Sequence, residues 1–363
     1  MKVYVFPGDA WGCGHYRLVW PAQAASLVAG VDVTIVPPNA RDLRLNLDQR
    51  SGRVTGENFP RDADVIVMQR LTNGLMSQVV PMLRARGVAV VVDMDDDLGC
   101  IHPRNPAFVG LQPMIWHEGR RQRNLHSWHN ARDACKEATL VTVTTPALAE
   151  RYGSHGRVRV IPNMVPEWYL TIEHADSDVI GWGGTVGTHP DDLQAVGPSI
   201  ATLVQGGAAF RQVGDGGGVA RALGLREEPP TTDAVSLTDW PRAIAEFGIG
   251  IAPLADTRFN RAKSRLKPLE YAAVGVPWVG SDLPDYRAFH ALGCGLLADR
   301  PKAWGALLRR LRREPSLRAD LSAAGRAVAA ANTFERNAWQ WVETWAEAAA
   351  LQRGRPVLAA AST

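Results

Sequence analysis

Residues 88–92 read VAVVV and run directly into Asp93-Met94-Asp95-Asp96-Asp97. A near-continuous valine run is what a strand covered on both faces requires, and such strands occur in parallel sheets flanked by helices. This one stretch commits the chain to an α/β architecture. Ligands of open α/β sheets bind outside the carboxyl ends of the strands, so four carboxylates at such an end are a candidate site. Three readings stay open. The acids could contribute part of an oxygen cage for a metal, cap the following segment, or face a substrate. Alternation along the strand allows at most two neighbouring side chains to aim at one ligand. Asp95 and Asp96 lie nearest the point where the strand must turn and form the candidate pair, one acting on a hydroxyl and the other bonded to backbone.

Other short apolar runs supply the remaining strands: residues 2–6, 31–36, 65–68, 140–144, 158–162, 178–182, 209–214 and 249–253. Helical patterns separate many of them, at 18–28, 75–86 and 146–152 and from Pro241 to Glu246. A helix is also expected from about Gln112, and two more at 318–331 and 333–351. In the last of these Phe334, Ala338, Trp341 and Trp345 share one side, a stripe that packs as core. The polar stretch 39–62 carries no clear period. Alternating β and α elements over 363 residues imply two domains.

The formal charge of +3, of mixed sign along the chain, argues against a nucleic-acid partner, and the basic run 309–313 reads as a solvated helix face. Cys13, Cys100, Cys135 and Cys294 show no paired spacing, which fits a reducing, cytoplasmic setting without a zinc site. His117, His126 and His129 lack metal-site spacing and read as surface residues. The opening MKVYVFPGDAWG is too short an apolar run for a signal peptide, and no stretch is long and apolar enough to span a membrane.

Residues 259–281, FNRAKSRLKPLEYAAVGVPWVGS, hold the second candidate site. Only five of the 40 basic residues are lysine, yet Lys263 and Lys267 stand four apart here. A lysine is a compact charge suited to phosphate. On one helix Lys263, Lys267 and Glu270 would share a face, with Leu266, Leu269 and Ala273 on the other. Pro268 belongs in a first turn, where N–H groups favour anions. A solvated, charged helix face is the competing reading.

This segment resembles the donor-site segment of GT-B glycosyltransferases, the retaining, nucleotide-sugar-dependent group. In that group the basic residues hold the donor diphosphate and the acidic residue, here Glu270, binds the ribose. Many members carry a second glutamate seven residues earlier; this chain has Lys263 there, which marks a divergent branch. Other stretches are similar to the same group. Residues 180–193, IGWGGTVGTHPDDL, resemble the opening of its second domain, with Gly183, Gly184, Thr185 and His189 at the donor phosphates and a helix starting at the aspartates. The DMDDDL run resembles its acidic strand end, VGDG at 213–216 one of its turns, and 237–246 the seat of the base. The loop 8–17, GDAWGCGHYR, resembles its first loop and offers Gly12, Gly14, His15 and Arg17.

The resemblance implies a GT-B fold of two Rossmann-like domains facing each other across a cleft. Residues 1–167 would take the acceptor and 168–332 the donor, while 333–363 would form a helix crossing back to the first domain. The implied activity is transfer of a sugar from a nucleotide-diphospho-sugar to an unidentified acceptor hydroxyl, with retention, without metal and without a cofactor. Lys263, Lys267 and Ser264 would stabilise the leaving diphosphate, and Asp95 and Asp96 would act on the acceptor. A non-catalytic nucleotide-sugar or glycan-binding module and a nucleotide-sugar epimerase are the alternatives.

Overall fold

A computed structural model of the chain describes residues 1–38, 40, 42–111, 127–215 and 217–354. The helix expected from Gln112, together with His117, His126 and Gly216, lies outside the described residues. The described residues divide into two compact units. The first comprises those of Met1–Gly99, Val109–Pro162 and Phe334–Thr363, the second those of Cys100–Phe108 and Asn163–Thr333.

The first unit is built on a six-stranded parallel sheet. Its strands are β1 (Lys2–Phe6), β2 (Asp32–Ile35), β5 (Val65–Gln69), β6 (Ala89–Met94), β7 (Leu140–Val143) and β8 (Val158–Val160), in the spatial order β2-β1-β5-β6-β7-β8. Every residue of β5, β6 and β7 is buried, as the apolar runs demand. The sheet direction of growth reverses between β1 and β5, which is its topological switch point. Between β2 and β5 the unclassified polar stretch folds as an antiparallel hairpin of β3 (Leu45–Leu47) and β4 (Val54–Glu57).

The second unit repeats the plan. Strands β9 (Ile180–Gly183), β10 (Phe210–Val213), β11 (Thr231–Thr232), β12 (Ile249–Ala252), β13 (Trp278–Ser281) and β14 (Leu296–Ala298) form a parallel sheet ordered β11-β10-β9-β12-β13-β14. Its switch point lies between β9 and β12. Phe210, Val219, Leu223, Trp304 and Leu308 belong to the core on one face of this sheet.

Phe334–Gln352 forms the last described helix, which packs in the first unit against the helix Trp20–Ala25. Phe334, Ala338, Trp341 and Trp345 are buried as one stripe, with the Trp20 and Phe334 rings 6.2 Å apart. All four cysteines are free thiols. No described helix is long and apolar enough to cross a membrane. Arg309, Arg310 and Arg313 are exposed, and Arg312 pairs with Asp178 at 2.7 Å.

The chain departs from local expectation at four places. Strand β6 continues to Met94, so Asp93 lies inside the sheet, in register with Gln69 and Thr142, and not in the loop beyond it. Helical backbone begins at Gly12 rather than at residue 18, because the Asp9 carboxylate accepts the N–H groups of Trp11 and Gly14 and starts the turn early. A Cβ on Gly14 would lie 2.0 Å from the Asp9 carbonyl, so that close turn needs glycine. After β9 the chain makes a short turn at Val186–Thr188, and the next α-helix is Gly197–Gln205, well beyond the aspartates at which a start was expected. Finally, Lys263 is not on the helix of Lys267. The Thr257-capped turn Arg258–Arg261 ends before it, and the helix Leu266–Ala273 begins after it.

Candidate functional site

In each unit a side chain bridges the switch point at the carboxyl ends of the strands. In the second unit it is Tyr271, from the helix Leu266–Ala273. Its hydroxyl accepts the N–H of Gly183 at 3.1 Å, where β9 ends, and donates to the carbonyl of Ile251 in β12 at 3.2 Å. Gly183 leaves room for the indole: a Cβ there would come within 2.6 Å of Cη2 of Trp240, which would then have to move. The break ahead of this helix leaves Lys263, Ser264 and Arg265 as its approach. Pro268 sits in the first turn, where its missing N–H leaves no gap in the helix ladder.

Lys267 turns its ammonium onto the carbonyl of Gly183 and lies 5.9 Å from the centre of the Trp182 ring. Burial holds its pKa below the ordinary lysine value; Lys263 pushes the same way, while Glu270 and Asp192 oppose it. The two lysines therefore act on one place despite lying on separate elements. Lys263 also sits 4.6 Å above the Phe259 ring. Glu270 is buried and accepts the indole N–H of Trp240 at 2.9 Å. The Ser264 hydroxyl accepts the amide of Asn163 at 2.8 Å.

His189 completes the group. Its Nδ1 lies 2.9 Å from Oδ2 of Asp192, and its ring meets Trp182 edge-on at 6.1 Å. Asp192 is fully engaged: Oδ1 accepts the Ala255 N–H at 2.9 Å and the Asn260 amide at 2.7 Å. Thr185 and Gly184 line the same turn, with the Gly184 N–H held by the carbonyl of Val213. The second unit thus brings together Gly183, Gly184, Thr185, His189, Lys263, Ser264, Lys267 and Glu270. Sequence reasoning did not single out Asp192, Trp240, Asn260 or Tyr271 as site residues. All four lie within stretches that carried the resemblance, 180–193, 237–246 and 259–281, but their partners are distant in sequence.

In the first unit the bridging side chain is Gln69, at the end of β5. It accepts the Gly8 N–H at 3.0 Å and donates to the carbonyl of Cys13 at 3.1 Å. The next residue, Arg70, has left-handed backbone with φ 48° and gathers the acids. Its guanidinium forks onto both oxygens of Asp95, reaches Asp96 at 3.3 Å and Asp9 at 3.9 Å, and touches the Cys13 sulfur at 3.1 Å. Burial, reinforced by the charge of Asp95, pushes the Cys13 thiol up to about 12. Asp97 is buried and pairs with Arg151 at 3.1 Å.

The four carboxylates are therefore shared among three arginines. The planar fork suits this, since it meets a carboxylate with two parallel hydrogen bonds. Asp95 and Asp96 do come together as a pair, but through Arg70, and it is their main-chain carbonyls that accept Thr144 and Tyr152 hydroxyls. Gly12, Gly14 and His15 lie in the helical turn beside Cys13, and His15 Nδ1 is 2.9 Å from the carbonyl of Trp11. Arg17 stands apart from the expected loop site. It is buried in the helix, bonded to both oxygens of Asp93 at 3.1 and 2.8 Å and to the carbonyl of Ile161, so its charge is spent inside the unit. Among the described residues no three His, Cys, Asp or Glu side chains are grouped to hold a metal ion.

No family model and no curated protein matches the chain by sequence. Solved structures do match in fold. Sucrose-phosphate synthase from Thermosynechococcus elongatus superposes with a TM-score of 0.64 at 15% identity, over 96% of this chain and 98% of that one. HepE of Anabaena, in complex with UDP, gives 0.61 at 12% identity over 95% and 99%. A glycosyltransferase from Rickettsia africae gives 0.61 at 10% identity over 96% and 98%. The two parallel six-stranded sheets, each with its own switch point, are thus those of the GT-B glycosyltransferase fold.

Proposed function

We propose that the chain is a glycosyltransferase that moves a sugar from a nucleotide-diphospho-sugar to an acceptor hydroxyl, with retention and without a metal. The observation that carries this reading is Lys267. A half-buried ammonium, with depressed pKa, stands at the end of β9 among Lys263, His189 and the buried carboxylate of Glu270. Such a group is poised for an anion that brings its own charge into the site. HepE has been solved with UDP and with UDP-glucose, which fits a donor of this class.

As the glycosidic bond breaks, negative charge builds up on the departing diphosphate. Lys267, Lys263 and the Ser264 hydroxyl stabilise it where it develops. Glu270 accepts hydrogen bonds from the ribose. The acceptor hydroxyl attacks from the face the diphosphate leaves, and a phosphate oxygen takes its proton, so no protein nucleophile is required. Asp95 and Asp96, held by Arg70, orient the acceptor.

The test is incubation with UDP-glucose, GDP-mannose and ADP-glucose, in EDTA and in Mg²⁺, following release of nucleoside diphosphate with and without a panel of sugar acceptors. Release in EDTA from one donor, with the sugar's anomeric configuration kept in the product, supports the proposal. Binding without release marks a non-catalytic module, and sugar interconversion without release marks an epimerase. Restoration by Mg²⁺ alone assigns the charge stabilisation to a metal.

A further inference from the structure

Asp192 is held from two sides before it meets His189. One oxygen takes the Ala255 N–H and the Asn260 amide, so only the other remains to face Nδ1 of the imidazole. A carboxylate can only accept, which makes Nδ1 the protonated nitrogen of the neutral ring. Nε2 then carries the lone pair and has no hydrogen-bond partner among the described residues. The charged groups around this ring are Asp192 from its own turn and Lys263 and Lys267 from the segment at the start of Leu266–Ala273.

We propose that Asp192 is a positioning residue that makes His189 bind the donor together with a proton: Nε2 becomes protonated as it meets the donor diphosphate. This rests on the sugar-nucleotide reading of the site. In the empty site burial keeps the imidazole below its ordinary pKa; the hydrogen bond and charge of Asp192 oppose this, and the two lysines add to it. A bound diphosphate cancels the lysine charges and hydrogen-bonds the imidazolium, so the pKa rises on binding. A group whose pKa rises on binding strengthens the complex fully below its free-state pKa. That gain is lost as pH rises towards the bound-state pKa, at up to about tenfold in affinity per pH unit. The transfer is balanced: one solvent proton is taken up per donor and returned on release.

The substitution Asp192→Asn gives a specific expectation. Its carbonyl oxygen must serve Ala255 and Asn260, so its NH₂ faces Nδ1 and forces the tautomer protonated at Nε2. That ring can donate to phosphate without taking up a proton.

The experiment is calorimetric titration with UDP-glucose, GDP-mannose and ADP-glucose, whose diphosphates do not titrate near neutrality, between pH 6 and 8 in buffers of different ionisation enthalpy. The wild type is expected to take up close to one proton per donor, with affinity falling as pH rises. Asp192→Asn and His189→Gln are each expected to take up none and to bind with a flat pH profile, whether or not their melting temperatures change. Unaltered uptake in His189→Gln, or binding by the wild type without uptake, overturns this inference alone. Failure of all three sugar nucleotides to bind at any pH overturns it together with the proposed function.

Discussion

The indole N–H of Trp240 donates to the carboxylate of Glu270 across 2.9 Å, joining the helix Trp240–Ala245 to the helix Leu266–Ala273. Because Glu270 is buried, this bond fixes the carboxylate that the proposed function sets against the ribose. Removing the donor with Trp240→Phe withdraws a charge-assisted hydrogen bond from a buried acceptor, a loss of about 1.5–3 kcal/mol. The expected result is a lower melting temperature and a raised donor KM. Glu270→Gln should also raise donor KM, with a smaller effect on kcat, as loss of uniform binding does.

Gly183→Ala tests the same arrangement without touching a polar group. The new Cβ would lie 2.6 Å from Trp240 Cη2, so the indole must move and its bond to Glu270 is disturbed. Donor KM should rise as in Trp240→Phe, and steady-state kinetics on both variants checks the correspondence.

Lys267→Ala should lower turnover by about 10–150-fold, the value of one charge-assisted contact to phosphate. Arg265→Ala should do far less to turnover, because that guanidinium lies over the Phe289 ring at 5.4 Å, as part of the packing. Stability measurements should show the reverse order. Burial also lowers the Lys267 pKa, so the cation is lost earlier as pH rises. The alkaline limb of kcat/KM should therefore fall below the pH at which an ordinary lysine titrates.

The acids of the first unit should separate by stability. Arg17→Met leaves Asp93 buried and uncompensated, a cost of about 3–5 kcal/mol, and should abolish cooperative thermal unfolding near the wild-type temperature. Asp96 keeps a fifth of its side chain exposed, so Asp96→Asn should leave the melting temperature nearly unchanged while reducing transfer. Donor binding by calorimetry should survive in that variant.

Much of the frame was legible in the sequence because its physical cause is local. Residues 88–92 had to be a doubly covered strand, and the Phe334–Trp345 stripe had to be core. Pro268 marked the first turn of the Lys267 helix. What was not legible depends on long-range partners. Nothing near Asp93 announces Arg17, 76 residues away, so a buried structural pair was indistinguishable from a candidate site residue. Spacing placed Lys263 on the helix of Lys267, since an i, i+4 reading assumes an unbroken helix; the Thr257 cap upstream starts a separate turn that ends first. Asp192 gave no warning of its role, because its partners Ala255 and Asn260 come from beyond β12.

The proposed function stands or falls on a sugar nucleotide binding at the carboxyl end of the second sheet through Lys267. The most direct measurement is calorimetric titration of the wild type and Lys267→Ala with UDP-glucose, GDP-mannose and ADP-glucose. At least one is expected to bind the wild type, with a Kd that rises by about 10–150-fold in Lys267→Ala. A Kd unchanged by the substitution, or no binding of any of the three to the folded wild type, would contradict it.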